Sequence, residues 1–545
     1  MIRSRKFDLC VIGAGPAGAL VAATIAADGH DVVILDAGPR FDRQAASTRM
    51  EHGLRTTPRT EIWGMGGSRD VFSISGDAQY ALNDRRVKGI GGSTLHWGGT
   101  VPRMHPEDFE MERRHGIFED WPISYDDLEP YYVNAEHALG AAGAPSPFGG
   151  HRSAPYPLPP HPFSYSDRIF EQACNSLDIT LHNLPHAINS ASFDGRGRCA
   201  GYGTCNPVCP SGAKYSADVH IRKAEDQGAV VVAEAPVQSL LHNESGERVS
   251  EAVYIQDGEE HTISADVFVV ACGAVETPRL LLLSRSERYP DGLANTSGLV
   301  GRRFMEHVAI RVQARLDAPT RQHLIGFGTS HSEQFYGYND GPKGSILLTP
   351  INTAGPSPLH VALSPRSNLA TMMAGGVPGG TGWGDDFLEH ARERTHGYLG
   401  IAAGTELEPN PAHRVTLDDS TTDDHGNPAP EIAFGVDDHA REILARAEQV
   451  LLDIMDATGA YEIETTFGPR EAYFANHQTG TTRMGTDPNE SVVNPTLRTH
   501  DLENLYIAGG STFVTGGPAN PTLTIAAISL MLADHLSDRL AGRAG

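Results

Sequence analysis

Residues 7–36 read FDLCVIGAGPAGALVAATIAADGHDVVILD, and this stretch determines the first unit of the fold. An apolar strand runs into the turn GAGPAG at residues 13–18, and an alanine-rich helix and a second β-branched strand follow. In such a turn Gly13 allows a tight bend, Gly15 lets the backbone approach a pyrophosphate, and Gly18 lets the helix pack close to the strand. The spacing therefore predicts a strand–turn–helix–strand unit that binds a dinucleotide.

The helix that opens with Pro16 and Ala17 adds to this prediction. Its N-terminus offers unpaired backbone N–H groups and the positive end of the helix dipole to phosphates. Asp36 stands directly after the second strand, where a carboxylate can accept a hydrogen bond from a ribose hydroxyl. A glycine turn in another kind of α/β unit is the alternative, and the turn alone does not separate FAD from NAD.

Length and charge exclude several classes of protein. At roughly 100–200 residues per domain, 545 residues predict about three domain-sized units, or two large units with insertions. With 43 lysine and arginine residues against 68 aspartate and glutamate residues, the net charge is −25, which would repel the phosphates of nucleic acids.

No apolar run reaches the roughly 18–20 residues of a membrane span. The N-terminus lacks a secretory pattern, so the sequence predicts a cytoplasmic protein.

Three further segments resemble the glucose–methanol–choline (GMC) family of flavoprotein oxidoreductases. Residues 89–99 (GIGGSTLHWGG) are similar to its glycine-rich flavin loop, and residues 273–281 (GAVETPRLL) fit its second signature. The third segment combines residues 476–481 (NHQTGT) with the run from 509 to 525. These segments span nearly the whole chain in the order of the family. The resemblance implies FAD rather than NAD as the cofactor.

The resemblance also places particular residues beside FAD. They are Gly92, Ser93, His96 and Trp97 in the flavin loop, Gly273 in the second signature, and Gly510, Pro521 and Thr522 near the C-terminus. Val237, in a strand predicted over residues 229–240, is expected to lie by the adenine. Because pyranose oxidases carry a histidine attached to FAD at the position of His96, a covalent bond there is an alternative to non-covalent binding.

The fold expected is α/β, with a Rossmann-like FAD-binding domain of parallel sheet flanked by helices and a substrate-binding cap of antiparallel sheet plus helices. We assign residues 1–314 to the FAD-binding domain with insertions, 315–469 to the cap, and 470–545 to a return to the FAD-binding domain. In the cap, strands are predicted over 345–348 and 413–417, with an amphipathic helix over 437–457. The glycine-rich residues 374–384 are predicted to form a mobile loop over the site or a partner-facing loop.

His477 is the candidate catalytic base. Oxidation of an alcohol carbon needs a base for the hydroxyl proton and an acceptor for the hydride, and a neutral imidazole can take the proton. A satisfied core or surface histidine is the alternative, since the chain has 25 histidines. The resemblance implies that Asn520 hydrogen-bonds the substrate oxygen, although Asn520 also suits the cap of a helix starting at Pro521. The resemblance further implies that this helix stabilises negative charge on the reduced flavin.

Cys199, Cys205 and Cys209 lie within eleven residues, in a loop made irregular by glycine and proline. Three crowded thiolates suit a 3Fe–4S cluster, or a 4Fe–4S cluster with one foreign ligand. The alternatives are a zinc loop with His220 as a fourth ligand, or three reduced thiols. The cysteine block and residues 121–132 (WPISYDDLEPYY) resemble the catalytic subunit of bacterial FAD-dependent glucose dehydrogenase and related sugar and polyol dehydrogenases. Ala200 departs from that pattern, because those subunits have a further cysteine there.

The resemblance therefore implies an FAD-dependent dehydrogenase that oxidises a CH–OH group of a sugar or polyol. Electrons would leave through the cysteine cluster to an external acceptor, with an electron-transfer subunit or a small signal-bearing subunit as partner. Such a partner would also be the route by which the chain leaves the cytoplasm. The alternatives are a GMC-type oxidase that releases hydrogen peroxide, a non-redox FAD lyase, and a flavin-bearing structural subunit with a dead site. The cysteine loop argues against the lyase, where it would have no role.

Overall fold

The structure is a computed structural model that describes residues 5–41, 65–78, 80–84, 86–205, 208–337, 344–352, 396–469 and 472–542, with the single residues 49, 385 and 389. The predicted loop over residues 374–384 lies outside these residues. The strands are β1 (Lys6–Ile12), β2 (Val32–Leu35), β3 (Ser73–Ser75), β4 (His182–Asn183), β5 (Val230–Val232), β6 (Val237–His242), β7 (Val249–Gln256), β8 (Glu259–Val270), β9 (His307–Arg315), β10 (Ser330–His331), β11 (Leu347–Pro350), β12 (Tyr398–Glu406), β13 (Arg414–Thr422), β14 (Pro428–Ala433), β15 (Tyr461–Phe467), β16 (Tyr473–Phe474) and β17 (Leu505–Ile507). The helices are α1 (Pro16–Ala27), α2 (Met111–His115), α3 (Tyr125–Leu139), α4 (Tyr165–Ser176), α5 (Asp218–Asp226), α6 (Gly273–Leu283), α7 (Asp438–Ala457) and α8 (Thr522–Leu540).

A parallel sheet in the order β5–β2–β1–β8–β17 lies at the centre of the first part of the fold. Its strands are nearly continuous apolar runs, as expected for a sheet covered on both faces, and α1, α5 and α8 pack in the same core. The long strand β8 pairs in parallel with two strands and antiparallel with a third. Its C-terminal half lies between β1 and β17, and its N-terminal half continues antiparallel into β7 and β6. The predicted Rossmann-like α/β architecture is confirmed.

The strand predicted over residues 229–240 is two strands. β5 joins β2 in the parallel sheet, whereas β6 pairs antiparallel with β7. The chain turns between them at Ala235 and Pro236, and proline has no N–H to give to a ladder. Val237 therefore starts a new strand and lies in the wall of the cavity described below.

A second sheet, with the order β11–β12–β9–β15 and β16 also on β9, is antiparallel throughout. Helix α7 packs on it and buries Ile443, Leu444 and Leu451, and α7, β11 and β13 confirm the helix and the two strands predicted for this region. The division of the chain at residues 314 and 469 stays a prediction, and the sheet takes β9 and β16 largely from outside it. In the described part of the chain, no helix has both the length and the apolar character needed to cross a membrane.

Candidate active site

A cavity of about 640 Å³ lies between the carboxyl ends of β1 and β2 and the antiparallel sheet. Both predicted catalytic residues, His477 and Asn520, line it. The predicted cofactor-binding residues that line it are Gly13, Gly15, Pro16, Ala17, Asp36, Gly92, Ser93, His96, Trp97, Val237, Gly273, Gly510, Pro521 and Thr522. Segments from four distant parts of the sequence therefore meet at one site.

Gly18 is not among these lining residues, and its predicted place in the cofactor site stays a prediction. A Cβ on Gly18 would lie 2.0 Å from the carbonyl oxygen of Gly13, so the residue acts in helix–strand packing. Gly13 has φ +102°, and its own Cβ would lie 2.6 Å from the carbonyl oxygen of Ala271. At Gly15, by contrast, an added Cβ meets no described atom within 4 Å. The open space at Gly15, at the start of α1, fits a pyrophosphate.

Asp36 is held facing this space by the backbone. Its two oxygens accept hydrogen bonds from the N–H groups of Ala14, at 2.8 Å, and Gly38, at 2.9 Å. A carboxylate has about four lone pairs, so both oxygens keep capacity for ribose hydroxyls. Burial raises the pKa of Asp36, while the two backbone N–H groups lower it. The cradle and the carboxylate at its end fit the adenosine diphosphate part of FAD.

The predicted flavin loop is fastened to the dinucleotide turn and to the segment before α5. The N–H of Gly91 donates to the carbonyl of Ala14 at 3.0 Å, and the indole N–H of Trp97 donates to the carbonyl of Tyr215 at 2.7 Å. Burial, and secondly the charge of the nearby Lys214, lower the pKa of His96 to about 4, so His96 is neutral at pH 7. The loop thus presents uncharged surface to the middle of the cavity.

His477 and Asn520 form a hydrogen-bonded pair in the cavity. The side-chain Nδ2 of Asn520 lies 3.1 Å from Nε2 of His477. The expectation that Asn520 caps a helix is wrong, since α8 begins at Thr522, its cap residue is Pro521, and no side chain caps it. Because the amide of Asn520 reaches the imidazole instead, its role lies with His477. The positive end of α8 nevertheless faces the cavity, in which Pro521 and Thr522 both lie.

A second imidazole, which the sequence did not reveal, lies behind His477. Nδ1 of His307 is 2.9 Å from Nδ1 of His477, and the rings cross at 84°. If His477 carries its proton on Nδ1, it donates to His307 and keeps an Nε2 lone pair facing Asn520 and the cavity. Burial, and secondly the proximity of His307, hold the pKa of His477 well below its ordinary value. The neutral form of His477 therefore predominates at neutral pH.

The main chain around His477 is fixed by a buried carboxylate. Glu306 accepts hydrogen bonds from the backbone N–H groups of His307, at 2.9 Å, and His477, and from the hydroxyl of Tyr80, at 2.5 Å. Thr481, a β-branched residue, has φ +84°, which is a strained conformation. Strain of this kind persists only where the surroundings determine the backbone, so the position of His477 is tightly specified.

Lys214 connects the cysteine loop to the flavin loop. Its buried ammonium donates to the carbonyls of Trp97, at 2.7 Å, and Cys205, at 2.6 Å. Burial lowers the pKa of Lys214, and burial raises the pKa of Cys205 to about 12. At Cys209 burial also raises the pKa, but the Ser211 hydroxyl, the nearby backbone N–H groups and the charge of Lys214 outweigh it and leave the pKa lowered. The loop therefore favours a thiolate at Cys209.

The zinc alternative for this loop has no support in the geometry. Around one zinc ion, sulfur ligands at about 2.3 Å lie about 3.8 Å apart. Among the described residues, Cys199, Cys205 and Cys209 do not bring their sulfur atoms within 4.8 Å of one another. His220 does not join them in such a group, and its Nδ1 lies 2.9 Å from the hydroxyl of Tyr215. An iron–sulfur cluster, in which each thiolate binds a different iron, needs wider spacing.

Profiles of GMC oxidoreductases match residues 83–309 and 409–529, and a profile of NAD(P)-binding Rossmann-like domains matches residues 11–67. The large subunit of fructose dehydrogenase from Gluconobacter japonicus is 33% identical, over 98% of this chain and 98% of that protein. This chain belongs to the GMC oxidoreductase family. It is an FAD-dependent oxidoreductase.

Other GMC oxidoreductases resemble the chain over its whole length. The 2-methyl-1,2-propanediol dehydrogenase of Mycolicibacterium austroafricanum is 30% identical over 98% of this chain and 95% of that protein. Formate oxidase from Aspergillus oryzae has the same fold, with a TM-score of 0.68 at 16% identity over 99% of each chain. The resemblance inferred from three short motifs is thus confirmed at the level of the family and the fold.

Proposed function

We propose that this GMC oxidoreductase is a dehydrogenase that oxidises a CH–OH group of a sugar or polyol, with His477 as the base. The observation that carries the proposal is the position of His477, whose Nε2 lies 3.1 Å from Nδ2 of Asn520 and which lines the cavity together with Asn520. Nε2 takes the hydroxyl proton, and Asn520, released from His477, donates its amide N–H to the substrate oxygen. FAD, when bound, supplies the acceptor for the hydride that leaves the carbon. The product is then a carbonyl compound, and the proton stays on His477.

The residues proposed to hold FAD divide by location. Gly13, Gly15, Pro16, Ala17 and Asp36 would hold the adenosine diphosphate, with Val237 beside the adenine. Gly92, Ser93, His96, Trp97, Gly273, Gly510, Pro521 and Thr522 would surround the flavin. The names of the relatives support the substrate class, since one is a fructose dehydrogenase large subunit and another a 2-methyl-1,2-propanediol dehydrogenase.

We further propose that Cys199, Cys205 and Cys209 hold a 3Fe–4S cluster that carries electrons singly to an external acceptor. Two contacts of one residue support it: the buried ammonium of Lys214 bonds the carbonyl of Cys205 in the cysteine loop and the carbonyl of Trp97 in the flavin loop. Tyr202 in this loop is about half exposed, as is Leu324, two residues before Gly326, whose backbone approaches Gly203 of the loop. These two side chains offer apolar surface to an acceptor or a partner subunit. The name of the Gluconobacter relative, a large subunit, supports an assembly with a further subunit.

The experiment is anaerobic reduction of the purified flavoprotein by a panel of ketoses, aldoses and polyols, followed by an artificial acceptor or by air. Bleaching of the flavin by a sugar and reoxidation by the acceptor, with little peroxide after air, are expected. Rapid peroxide release would establish the oxidase instead, and a flavin that no alcohol bleaches would contradict the proposal. EPR and iron analysis test the cluster separately, and the mass of the denatured chain tests a covalent flavin at His96.

A further inference from the structure

Two histidines face each other across a short ribbon outside the cavity. Strands β4 and β10 pair antiparallel, and their register places His182 directly opposite His331. Opposite residues of such a pair lie on the same face, as does the residue two positions along either chain. Glu333 lies two positions after His331, so the sequence pattern His331-x-Glu333 against His182 collects three side chains on one side.

The three side chains converge on one point. Nε2 of His182 lies 3.7 Å from one carboxylate oxygen of Glu333, and Nε2 of His331 lies 4.0 Å from the other. One ligand atom from each residue lies within 4.8 Å of both others, a spacing that no other His, Cys, Asp or Glu trio reaches in the described residues. Around a tetrahedral Zn²⁺ with bonds of about 2.0–2.1 Å, ligand atoms are about 3.3 Å apart. Small side-chain movements therefore suffice to close the group on an ion.

The four ring nitrogens of His182 and His331 make no hydrogen bond within 3.5 Å to the described residues. Their nearest polar neighbours are the Glu333 carboxylate, at 3.7 and 4.0 Å from the two Nε2 atoms, and the backbone of Asn183. His331 is only 1% exposed, and buried polar atoms are normally satisfied, so this pair needs an explanation such as an ion.

The neighbouring groups leave room for one further ligand. A cavity of about 30 Å³ is lined by His105, His331 and Glu333, and about 10–15 Å³ suffices for one water. His105 pairs with Glu333 at 3.4 Å, and the hydroxyl of Ser146 donates to the same carboxylate. These contacts orient Glu333 without occupying either nitrogen of His182 or His331. A water in the cavity would complete a four-coordinate site.

We propose that His182, His331 and Glu333 bind a divalent ion of the zinc class, with a water as fourth ligand. Two imidazoles and a carboxylate are a donor set that zinc uses. The ion has a structural role, because the adjoining cavity is too small for a substrate. It fastens β4 to β10 next to the cavity that holds the active site, since Leu184 follows β4, Gly328 precedes β10, and both line that cavity.

The test uses the complete flavoprotein after treatment with a chelator, titrated with Co²⁺ and followed by absorption at wavelengths longer than the flavin bands. The wild type should bind one Co²⁺ per chain in a tetrahedral spectrum, and Zn²⁺ should displace it. His182→Gln and Glu333→Gln should weaken binding by more than about 100-fold, since loss of outer-shell partners alone costs 10–100-fold. His161→Gln is the matched control, because His161 is a half-buried histidine bonded to the carbonyl of Ile188.

Three results would overturn the proposal. The first is a wild type that takes up no more Co²⁺ than Glu333→Gln. The second is binding that survives His182→Gln but is lost in Cys205→Ser, which would assign the ion to the cysteine loop. The third needs no variant and is an unfolding temperature of the wild type that does not change on chelation. Because a ligand of the native state stabilises that state, the proposed structural ion requires that chelation lower this temperature and that Zn²⁺ restore it.

Discussion

Nδ1 of His307 and Nδ1 of His477 lie 2.9 Å apart, a hydrogen-bond distance at which one of the two nitrogens donates a proton and the other accepts it. This contact orients the imidazole of His477, and the proximity of His307 adds to the effect of burial in keeping that imidazole neutral. With the Nδ1 proton on His477, the Nε2 lone pair of His477 faces the cavity. His307 therefore acts as a positioning residue, and its replacement should change the pH dependence of turnover in a particular direction.

His307→Gln should keep a group that accepts the Nδ1 proton, because the amide oxygen of glutamine can take that role. Burial is the main cause of the lowered pKa of His477, and the variant leaves it in place; it removes the second cause, repulsion from a protonated His307, so the pKa should rise part of the way toward its ordinary value. Since the base must be neutral, the acidic limb of the pH profile of kcat/KM should move to higher pH. His307→Leu should move it likewise and also lower kcat by about 10-fold or more. An acidic limb that stays in place in both variants would contradict this role.

His477→Ala should lower kcat by about 10²–10⁴-fold, the usual contribution of a general base. The flavin should remain bound with its spectrum intact, because His477 is one residue in a large binding surface. Added imidazole should restore part of the rate by entering the space left behind. His151→Ala, at an exposed histidine, is the control and should have wild-type activity. Full activity of His477→Ala would remove the proposed mechanism.

Gly15→Ala and Gly18→Ala should fail in different ways. At Gly15 an added Cβ meets no described atom within 4 Å, so the variant should fold with little change in unfolding temperature but bind FAD at least about 10-fold more weakly, because the Cβ meets the pyrophosphate. At Gly18 the Cβ would lie 2.0 Å from a backbone oxygen, so the apoprotein itself should be destabilised by several degrees. Flavin retention after gel filtration and the unfolding temperature of the apoprotein measure the two effects. Equal loss of both in the two variants would be evidence against a phosphate cradle at Gly15.

In iron-free protein, Cys209 should be alkylated first among the cysteines of its loop. Its pKa is lowered by hydrogen bonds and by Lys214, whereas that of Cys205 is raised to about 12 by burial. Alkylation needs the thiolate, so labelling at pH 7 should be faster at Cys209 than at Cys205. Peptide mapping after brief treatment with iodoacetamide measures the order. Protection of all three cysteines in iron-loaded protein would support the cluster, and preferential labelling of Cys205 would contradict the charge distribution.

The parts of the site that could be predicted from residue spacing alone are those whose residues lie close together along the chain. Gly13, Gly15 and Asp36 lie within one strand–turn–helix–strand unit, so their spacing alone fixes their relative positions. The flavin loop and the segment around His477 were found by resemblance, and the structure brings them to the same cavity. The antiparallel sheet was expected from strand pieces and one amphipathic helix, and it is present.

The parts that the sequence did not predict depend on distant contacts. His307 is 170 positions from His477, begins an ordinary alternating strand, and is one of 25 histidines. Asn520 before a proline suggested a helix cap, because no local pattern shows that a distant imidazole takes the amide instead. The trio of His182, His331 and Glu333 depends on the register of two strands of two residues each, which is beyond any periodicity argument.

Strand β17 completes the parallel sheet that β1 begins, and this has a consequence for synthesis. Gly13 and Asp36 emerge from the ribosome early, but His477, β17 and Thr522 follow more than 440 residues later. At 5–20 residues per second, about 20–90 seconds separate the two ends of the flavin pocket. A nascent chain therefore holds its nucleotide turn without the opposite wall, and firm capture of the coenzyme must wait until translation is almost over.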